Sequence, residues 1–135
     1  MITRGNLDLG CIAEEVFQTF AFTRNIKVGN TLNLSGVTPL TVDLEKIEVV
    51  GNGVIRAQAV QALEIIKRCL AAEGTTFKNW VMQTVYPTNI AELQKTDDVF
   101  RRALGGYSAT STWAEIKGLL HPEQMVEIRG IATLD

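Results

Sequence analysis

The sequence predicts an α+β fold, a two-layer sandwich in which a mixed β-sheet carries two helices on one face. Short stretches rich in β-branched and aromatic residues predict strands. Between them lie segments whose apolar residues recur with helical periodicity, and these predict helices. The predicted elements follow one another in the order β-β-α-β-α-β-β. Two helices of ordinary length cannot cover both faces of such a sheet, so we expect them to share one layer.

The amino-terminal part predicts a β-hairpin after an irregular start. Asn6–Gly10 reads as a loop, and Ile12–Phe17 fits either a short helical turn or an irregular lead-in. A strand is expected over Thr19–Val28, because this run is rich in β-branched and aromatic residues. Gly29-Asn30 provides a hairpin turn, and the second strand covers Thr31–Gly36.

The central part predicts a surface loop and then a long helix. The loop is predicted either without regular structure or with a short strand at Ile47–Val50. Over Val54–Ala72 apolar residues recur every three or four positions, which is typical of an amphipathic helix. Gln58 lies off this stripe, so we expect it to face water. Cys69 has apolar neighbours and is expected to be a small buried side chain.

The carboxyl-terminal half predicts a strand over Phe77–Tyr86, a helix over Ile90–Leu104, and two strands joined by a loop, Thr110–Lys117 and Val126–Arg129. Apolar residues on both faces of the first of these strands indicate a central, doubly covered position. The sheet face away from the helices is expected to be apolar. A large uncovered apolar face usually marks an interface, so we expect a symmetric oligomer.

Composition excludes several classes of function. The chain has 135 residues, a hydrophobic fraction of 46% and a formal net charge of −2. These values indicate one domain over 1–135 and give no electrostatic case for nucleic acid. No apolar run reaches the length of a membrane span, and the first ten residues lack a signal-peptide pattern, so we expect a cytoplasmic protein. Two cysteines, Cys11 and Cys69, and the single His121 offer almost nothing for a metal site.

The last predicted strand carries the most informative charges. Glu127 and Arg129 share one face, since side chains alternate along a strand. The pair fits an inert salt bridge, or a carboxylate that activates water in an apolar cleft. His121 is interpreted as an exposed loop residue, with a catalytic acid or base as the alternative. Arg24 is interpreted as exposed too, and alternatively it anchors a carboxylate.

Four segments together resemble the RidA/YjgF family, the reactive-intermediate imine deaminases. Phe22–Leu40 (FTRNIKVGNTLNLSGVTPL) is similar to the family's first block, and Gln58–Phe77 to its helical block. Gln83–Leu93 and the ending Met125–Ala132 continue in the same order. The resemblance covers residues 20–132. It implies a chorismate-mutase-like α+β domain that assembles as a homotrimer with clefts between subunits.

The resemblance also implies a chemistry and the residues for it. Family members of the deaminase branch hydrolyse small imines and enamines in the intersubunit cleft, without a cofactor. By position, Glu127 matches the glutamate that handles the attacking water. Phe22 matches a cleft tyrosine but lacks its hydroxyl, and Ser35 and Gly36 match the family's Ser-Gly. A non-catalytic trimer that binds a small metabolite or a partner protein is the alternative.

The family's substrate-binding arginine has no counterpart here. Its position matches Thr110, or Ser111 if the alignment shifts by one residue, and neither supplies a cation. Threonine cannot imitate a bidentate guanidinium. Arg24 and Arg129 are therefore the candidates to replace it. Thr110 and Thr112, with the cleft phenylalanine, are expected to shape the substrate pocket.

Overall fold

A computed structural model describes residues 1–5 and 12–135. In these residues the strands are β1 (Ile2–Gly5), β2 (Asn25–Val28), β3 (Thr31–Val37), β4 (Leu40–Val42), β5 (Ile47–Val49), β6 (Trp80–Pro87), β7 (Thr110–Trp113) and β8 (Val126–Thr133). The helices are α1 (Glu14–Thr19), α2 (Ile55–Ala72), α3 (Ile90–Gln94) and α4 (Asp97–Leu104). The loop predicted at Asn6–Gly10 and the side chain of Cys11 lie outside the described residues.

One mixed sheet organises the molecule. Its strand order is β1-β2-β3-β8-β6-β7, while β4 and β5 form a separate hairpin. Strands β6 and β7 run parallel, and all other neighbours in the large sheet are antiparallel. Helix α2 packs against β3 and β8, and α3 and α4 pack against α2. The predicted fold class, a mixed sheet with two layers, is confirmed, with α2, α3 and α4 together in the helix layer.

Helix α2 forms as predicted but buries one polar side chain that was expected to face water. Its apolar stripe packs onto the sheet, and Cys69 is buried within it. Gln58 is fully buried too. Its amide nitrogen donates to the carbonyls of Gly51 and Glu123, and its oxygen accepts from the Met125 amide. The prediction for Gln58 was wrong because these loop backbone groups need partners inside the protein.

The start of the domain differs from the prediction. Residues 14–19 form α1, which confirms the helical option for the lead-in, and the first predicted strand shortens to β2. Phe20 ends the helix, and Ala21 then takes a left-handed conformation with φ of 56°. That conformation interrupts the extended run that β-propensity alone favoured. Strand β1, which the sequence pattern did not reveal, pairs with β2 along its whole length.

The second predicted helix is divided in the structure. Asn89 caps α3 by accepting a hydrogen bond from the Glu92 amide at 3.1 Å. The buried Thr96 hydroxyl donates to the Leu93 carbonyl at 2.7 Å, and α4 begins after it. Hydrophobic periodicity continues through this break because both short helices bury the same face. Gly105, with φ of 63°, ends α4 in the left-handed conformation that glycine adopts easily.

The last two strands, β7 and β8, are not neighbours in the sheet. Strand β6 lies between β7 and β8, so the loop that joins the last two strands crosses over it. Residues 77–79 form a 3₁₀ turn, and β6 begins only at Trp80. Strand β6 is covered on one face within the single chain. Trp80, Gln83 and Val85 are buried, whereas residues between them are half-buried or exposed.

The sheet face opposite α2 is more polar than the sequence indicated. Strand register and alternation assign its members, which are half-buried or exposed: Ile26, Asn33, Ser35, Glu127, Arg129, Ile131, Met82, Thr84, Tyr86, Thr110 and Thr112. We call this the open face. Its mixture of threonines, charges and aliphatic side chains differs from the buried face, which is almost wholly apolar. Within the described residues, no helix has the length and apolar character needed to cross a membrane.

Gly130 on β8 should be intolerant of any side chain. A Cβ there would lie 2.2 Å from the Met82 carbonyl oxygen and 2.3 Å from the Trp80 ring. The Met82 backbone cannot move away without disturbing the sheet. Gly130→Ala should therefore lower the free energy of unfolding by about 3 kcal/mol or more, as measured by urea denaturation. Gly118→Ala is the control, because no atom lies within 4 Å of a Cβ there. Equal stability of the two variants would contradict the packing.

Candidate functional site

A β-bulge in β3 shapes the site. Leu34 and Val37 are both paired with β8, but the register shifts between them, so that Ser35 and Gly36 together oppose Arg129. Two residues opposite one is the pattern of a β-bulge, a device that redirects side chains near functional sites. It allows both Leu34 and Val37 to be buried although they are three residues apart. The residues between them are turned toward the open face.

Gly36 leaves the space that the Glu127 carboxylate occupies. A Cβ on Gly36 would lie 2.7 Å from Cδ and 2.8 Å from Oε2 of Glu127. Such distances are far inside van der Waals contact, so only glycine permits the carboxylate to lie against the bulge. The match of Gly36 and Glu127 to the family pattern therefore has a steric basis in this chain.

Glu127 faces a cavity with mostly apolar walls. The cavity has a volume of about 450 Å³ and also contains Gly36 and Phe22. Its aliphatic and aromatic walls come from α1, the β4–β5 hairpin and the loop before β8: Ile12, Val16, Phe20, Leu40, Val42, Leu44, Ile47 and Leu120. Asp43, Glu45 and Lys46 of the β4–β5 hairpin also line the cavity. A carboxylate with aliphatic and aromatic neighbours, such as Glu127, is typical of a catalytic acid or base.

Burial raises the pKa of Glu127 above its usual value of 4.5. Partial removal from water is the cause, since it disfavours the charged form of a carboxyl. Among the described residues, no ion pair or hydrogen bond to this carboxylate offsets the desolvation. A raised pKa makes Glu127 a stronger base once it is ionised.

A larger cavity of about 750 Å³ adjoins the first. Phe22 and Gly36 line both cavities, so these residues mark where they meet. Ser35 and Arg129 line only the larger one. The Ser35 hydroxyl donates to the Thr23 carbonyl at 2.5 Å, which fixes it at the wall.

The rim of the smaller cavity is held by a buried glutamine. The Gln124 amide nitrogen donates to the Thr38 hydroxyl, and its oxygen accepts from the His121 amide at 2.6 Å. Thr38 in turn donates to the Val126 carbonyl at 3.3 Å. His121 Nδ1 accepts from the Glu123 amide at 3.1 Å, so it stabilises a turn and lines neither cavity.

Arg24 is buried rather than exposed. It is 2% exposed, and its guanidinium carbon lies 5.6 Å from the centre of the Phe17 ring. The expectation of an exposed residue was wrong because α1 covers it with an aromatic face, which attracts a cation. Arg24 lines neither cavity, so it is poorly placed to bind a ligand there.

Thr110 and Thr112 lie apart from Glu127 within one chain. Both are exposed on the open face of β7, and Thr110 donates to the Val81 carbonyl at 3.1 Å. They line neither cavity, because β6 lies between β7 and β8. The structure thus brings together Phe22, Ser35, Gly36, Glu127 and Arg129, and separates the threonines from them.

Sequence reasoning missed two contributors to the site. Arg4, exposed on β1, lines the larger cavity, and Gln124 lines the smaller one. A signal for the bulge was present, since Leu32, Leu34 and Val37 change their spacing from two to three. For Arg4 no comparable signal exists, because its placement depends on the pairing of β1 with β2.

Comparison with known proteins identifies the family. The family model described as Endoribonuclease L-PSP matches residues 14–134. The chain belongs to this family. A RutC family protein of Saccharolobus solfataricus is 31% identical over 111 residues, which cover 82% of this chain and 85% of the relative. Protein DfrA of Myxococcus xanthus is 30% identical over 107 residues, 79% of each chain.

Solved structures agree on the fold. A YjgF family member from Mycobacterium tuberculosis has a TM-score of 0.78 at 22% identity, covering 98% of this chain and 99% of the other. A YjgF family protein from Neisseria meningitidis has a TM-score of 0.76 at 18% identity, covering 100% of this chain and 96% of the other. Together with the family match, these likenesses confirm the resemblance to the RidA/YjgF family.

The raised pKa of Glu127 predicts a pH-dependent effect on stability. The folded chain holds this proton more tightly than the unfolded chain. The stabilising contribution is therefore complete below pH 4.5 and is lost as pH rises through the folded pKa. Glu127→Gln lacks that dependence. We expect its free energy of unfolding to rise relative to the wild-type protein between about pH 4 and about pH 7. Urea denaturation across that range is the measurement, and a flat difference would contradict a raised pKa.

Proposed function

We propose that this protein hydrolyses a small imine or enamine to a carbonyl compound and ammonia, with Glu127 as the general base. The observation that carries the proposal is the Glu127 carboxylate, which lies against Gly36 in an apolar cavity where burial raises its pKa. Membership of the RidA/YjgF family supports the same chemistry. The formal net charge of −2 gives no support for a nucleic acid substrate.

The proposed reaction needs one base that later acts as an acid. Ionised Glu127 takes a proton from water while the hydroxide oxygen bonds to the imine carbon and the nitrogen gains a proton from solvent. The protonated carboxyl then gives its proton to the nitrogen of the tetrahedral intermediate. The carbon–nitrogen bond breaks, ammonia leaves, and the carbonyl forms as the hydroxyl proton returns to solvent. An enamine enters the same sequence after protonation at carbon. A pKa between those of an ordinary carboxyl and water suits both roles.

The open face supports assembly as a homotrimer. Thr110 and Thr112 lie on this face but outside the Glu127 cavity of their own chain. In the proposed trimer, a neighbouring chain brings its β7 threonines to the mouth of that cavity. The complete substrate pocket then forms only between subunits. Soluble metabolites in the cytoplasm are the proposed substrates.

A non-catalytic binding trimer is the second candidate. The observation that favours it is the lack of a cation at Thr110, together with the burial of Arg24. In that case the cavities bind a small metabolite or a partner protein without turnover. The two candidates differ in the consequence of changing Glu127, because only catalysis needs a carboxylate that exchanges protons.

Ammonia release tests the enzymatic proposal. With 2-aminoacrylate generated by a pyridoxal-phosphate dehydratase, the wild-type protein should accelerate ammonia formation. Glu127→Gln should reduce kcat about 100-fold or more, because the general base is lost. Gly36→Ala should also reduce kcat, since its Cβ displaces the carboxylate.

Glu64→Gln serves as the control, because Glu64 lies on α2 in the helix layer and pairs with Arg68. It should retain wild-type turnover. Ligand binding without acceleration by the wild-type protein would favour the binding candidate. Full activity of Glu127→Gln would remove Glu127 from the mechanism.

The mass in solution tests the assembly. Light scattering should give three times the chain mass of 14.8 kDa. Ile131→Asp, a half-buried site on the open face, should shift the mass toward that of one chain, because burying an unpaired charge is costly. Val60→Asp on the exposed side of α2 should leave the mass unchanged. A monomeric wild-type protein with full activity would rule out an intersubunit site.

A further inference from the structure

Arg24 is a buried charged residue that the proposed mechanism does not use. Its side chain is 2% exposed, and it lines neither cavity of the candidate site. Removing a guanidinium group from water costs free energy, and an apolar side chain of similar length would avoid that cost. A requirement other than filling the core therefore favours an arginine at this position.

The side chain of Arg24 packs against helix α1. Its guanidinium carbon lies 5.6 Å from the centre of the Phe17 ring, within the range of a cation–π interaction. The centres of the Phe17 and Phe22 rings are 4.8 Å apart, and the ring planes are inclined by 51°. Phe17 is buried, whereas Phe22 is exposed where the two cavities meet. A chain of contacts thus leads from the buried guanidinium to the candidate site.

The backbone of Arg24 is bound to the bulge in β3. The Arg24 carbonyl accepts a hydrogen bond from the Ser35 amide at 2.9 Å, and the Thr23 carbonyl accepts one from the Ser35 hydroxyl. Gly36, the next residue of the bulge, lies against the Glu127 carboxylate. Arg24 therefore contacts the bulge through its main chain and α1 through its side chain.

Helix α1 forms a wall that both cavities share. Val16 and Phe20 line the smaller cavity, and Phe17 and Gln18 line the larger one. A helix of six residues is not stable by itself, so its position depends on tertiary contacts. The contact between Phe17 and Arg24 is one that connects this wall to the segment bound to the bulge.

We propose that Arg24 is a positioning residue, which holds α1 against the bulge and thereby fixes the α1 wall of the Glu127 cavity. This inference rests on the function proposed above, because it concerns the same site. Arginine suits the role, since its planar and weakly hydrated guanidinium stacks on aromatic rings and is always charged. Arg24 touches no substrate and acts through Phe17 and Phe22. Without it, α1 moves away from the bulge and water enters the cavity.

The protonation of Glu127 reports the position of α1 without turnover. NMR titration of the Glu127 carboxyl carbon gives its pKa in each variant. In Arg24→Gln this pKa should fall toward its usual value of 4.5, because water replaces the α1 wall. Loss of a positive charge alone predicts the opposite sign, since removing a cation makes a carboxyl harder to ionise. The direction of the change therefore separates positioning from a direct electrostatic effect.

Two further variants test the same contact by milder changes. Arg24→Lys keeps the charge but loses the planar guanidinium, so it should lower the pKa of Glu127 less than Arg24→Gln does. Phe17→Leu removes the ring between Arg24 and Phe22 while keeping an apolar side chain, so it should also lower this pKa. If Arg24→Gln does not fold, these two variants decide the question in the same way.

Thr75→Val is the matched control for a general loss of stability. It removes the hydrogen bond from a buried hydroxyl to the Thr133 carbonyl, at the opposite end of β8 from Glu127. Its Glu127 pKa should equal that of the wild-type protein. The charged side chains of the β4–β5 hairpin that line the cavity are the same in every variant. A raised or unchanged pKa in Arg24→Gln or Phe17→Leu, or an equal shift in Thr75→Val, would overturn the positioning role.

Kinetics separate failure of this role from failure of the proposed function. If turnover occurs and depends on Glu127, Arg24→Gln should lower kcat/KM about tenfold or more and move the rise of its pH profile to lower pH. Arg24→Lys should restore part of both. A wild-type kcat/KM and pH profile in Arg24→Gln would overturn the positioning role and leave the enzyme intact. If the wild-type protein turns over no imine but the Glu127 pKa still falls in Arg24→Gln, the positioning role stands and the enzymatic proposal fails.

Discussion

The pairing of β8 with both β3 and β6 is the constraint on which the rest of the structure depends. This strand lies inside the sheet and alternates strictly between buried and less buried residues. Val126, Ile128 and Ala132 join the core under α2, while Glu127 and Arg129 project from the open face. A slip of one residue would place charges in the core, so the core fixes the register of the site.

The bulge in β3 places Gly36 beside the Glu127 carboxylate and so shapes the candidate site. It lets β3 bury Leu34 and Val37 while Gly36 lies directly over the Glu127 carboxylate. The carboxylate is then removed from much of the solvent without a cation to compensate it. This desolvation raises the pKa of Glu127, and such shifts are concentrated at functional sites of proteins. The arginines of the neighbouring cavity lie on the other side of the same bulge.

The sequence predicted the features that local chemistry decides. The periodicity of α2, the turn at Gly29 and the alternation of β8 depend on nearby residues, and all were predicted correctly. Features that depend on tertiary contacts were either not predicted or predicted wrongly. Gln58 is buried by loops distant in sequence, Arg24 is covered by α1, and the split at Thr96 leaves the hydrophobic pattern intact.

The candidate site shows the same division. Family motifs indicated Phe22, Gly36 and Glu127, and these residues line one cavity. The separation of Thr110 from that cavity follows from the strand order, which a linear motif does not contain. Arg4 could not be anticipated, since it reaches the site only through three successive strand pairings.

The buried amide of Gln58 gives the cavity a mechanical link to the helix layer. The floor of the Glu127 cavity belongs to the sheet, but the loop that forms its rim is tied to α2 through the Glu123 carbonyl and the Met125 amide. The position of the rim therefore depends on a helix that contributes no side chain to the cavity.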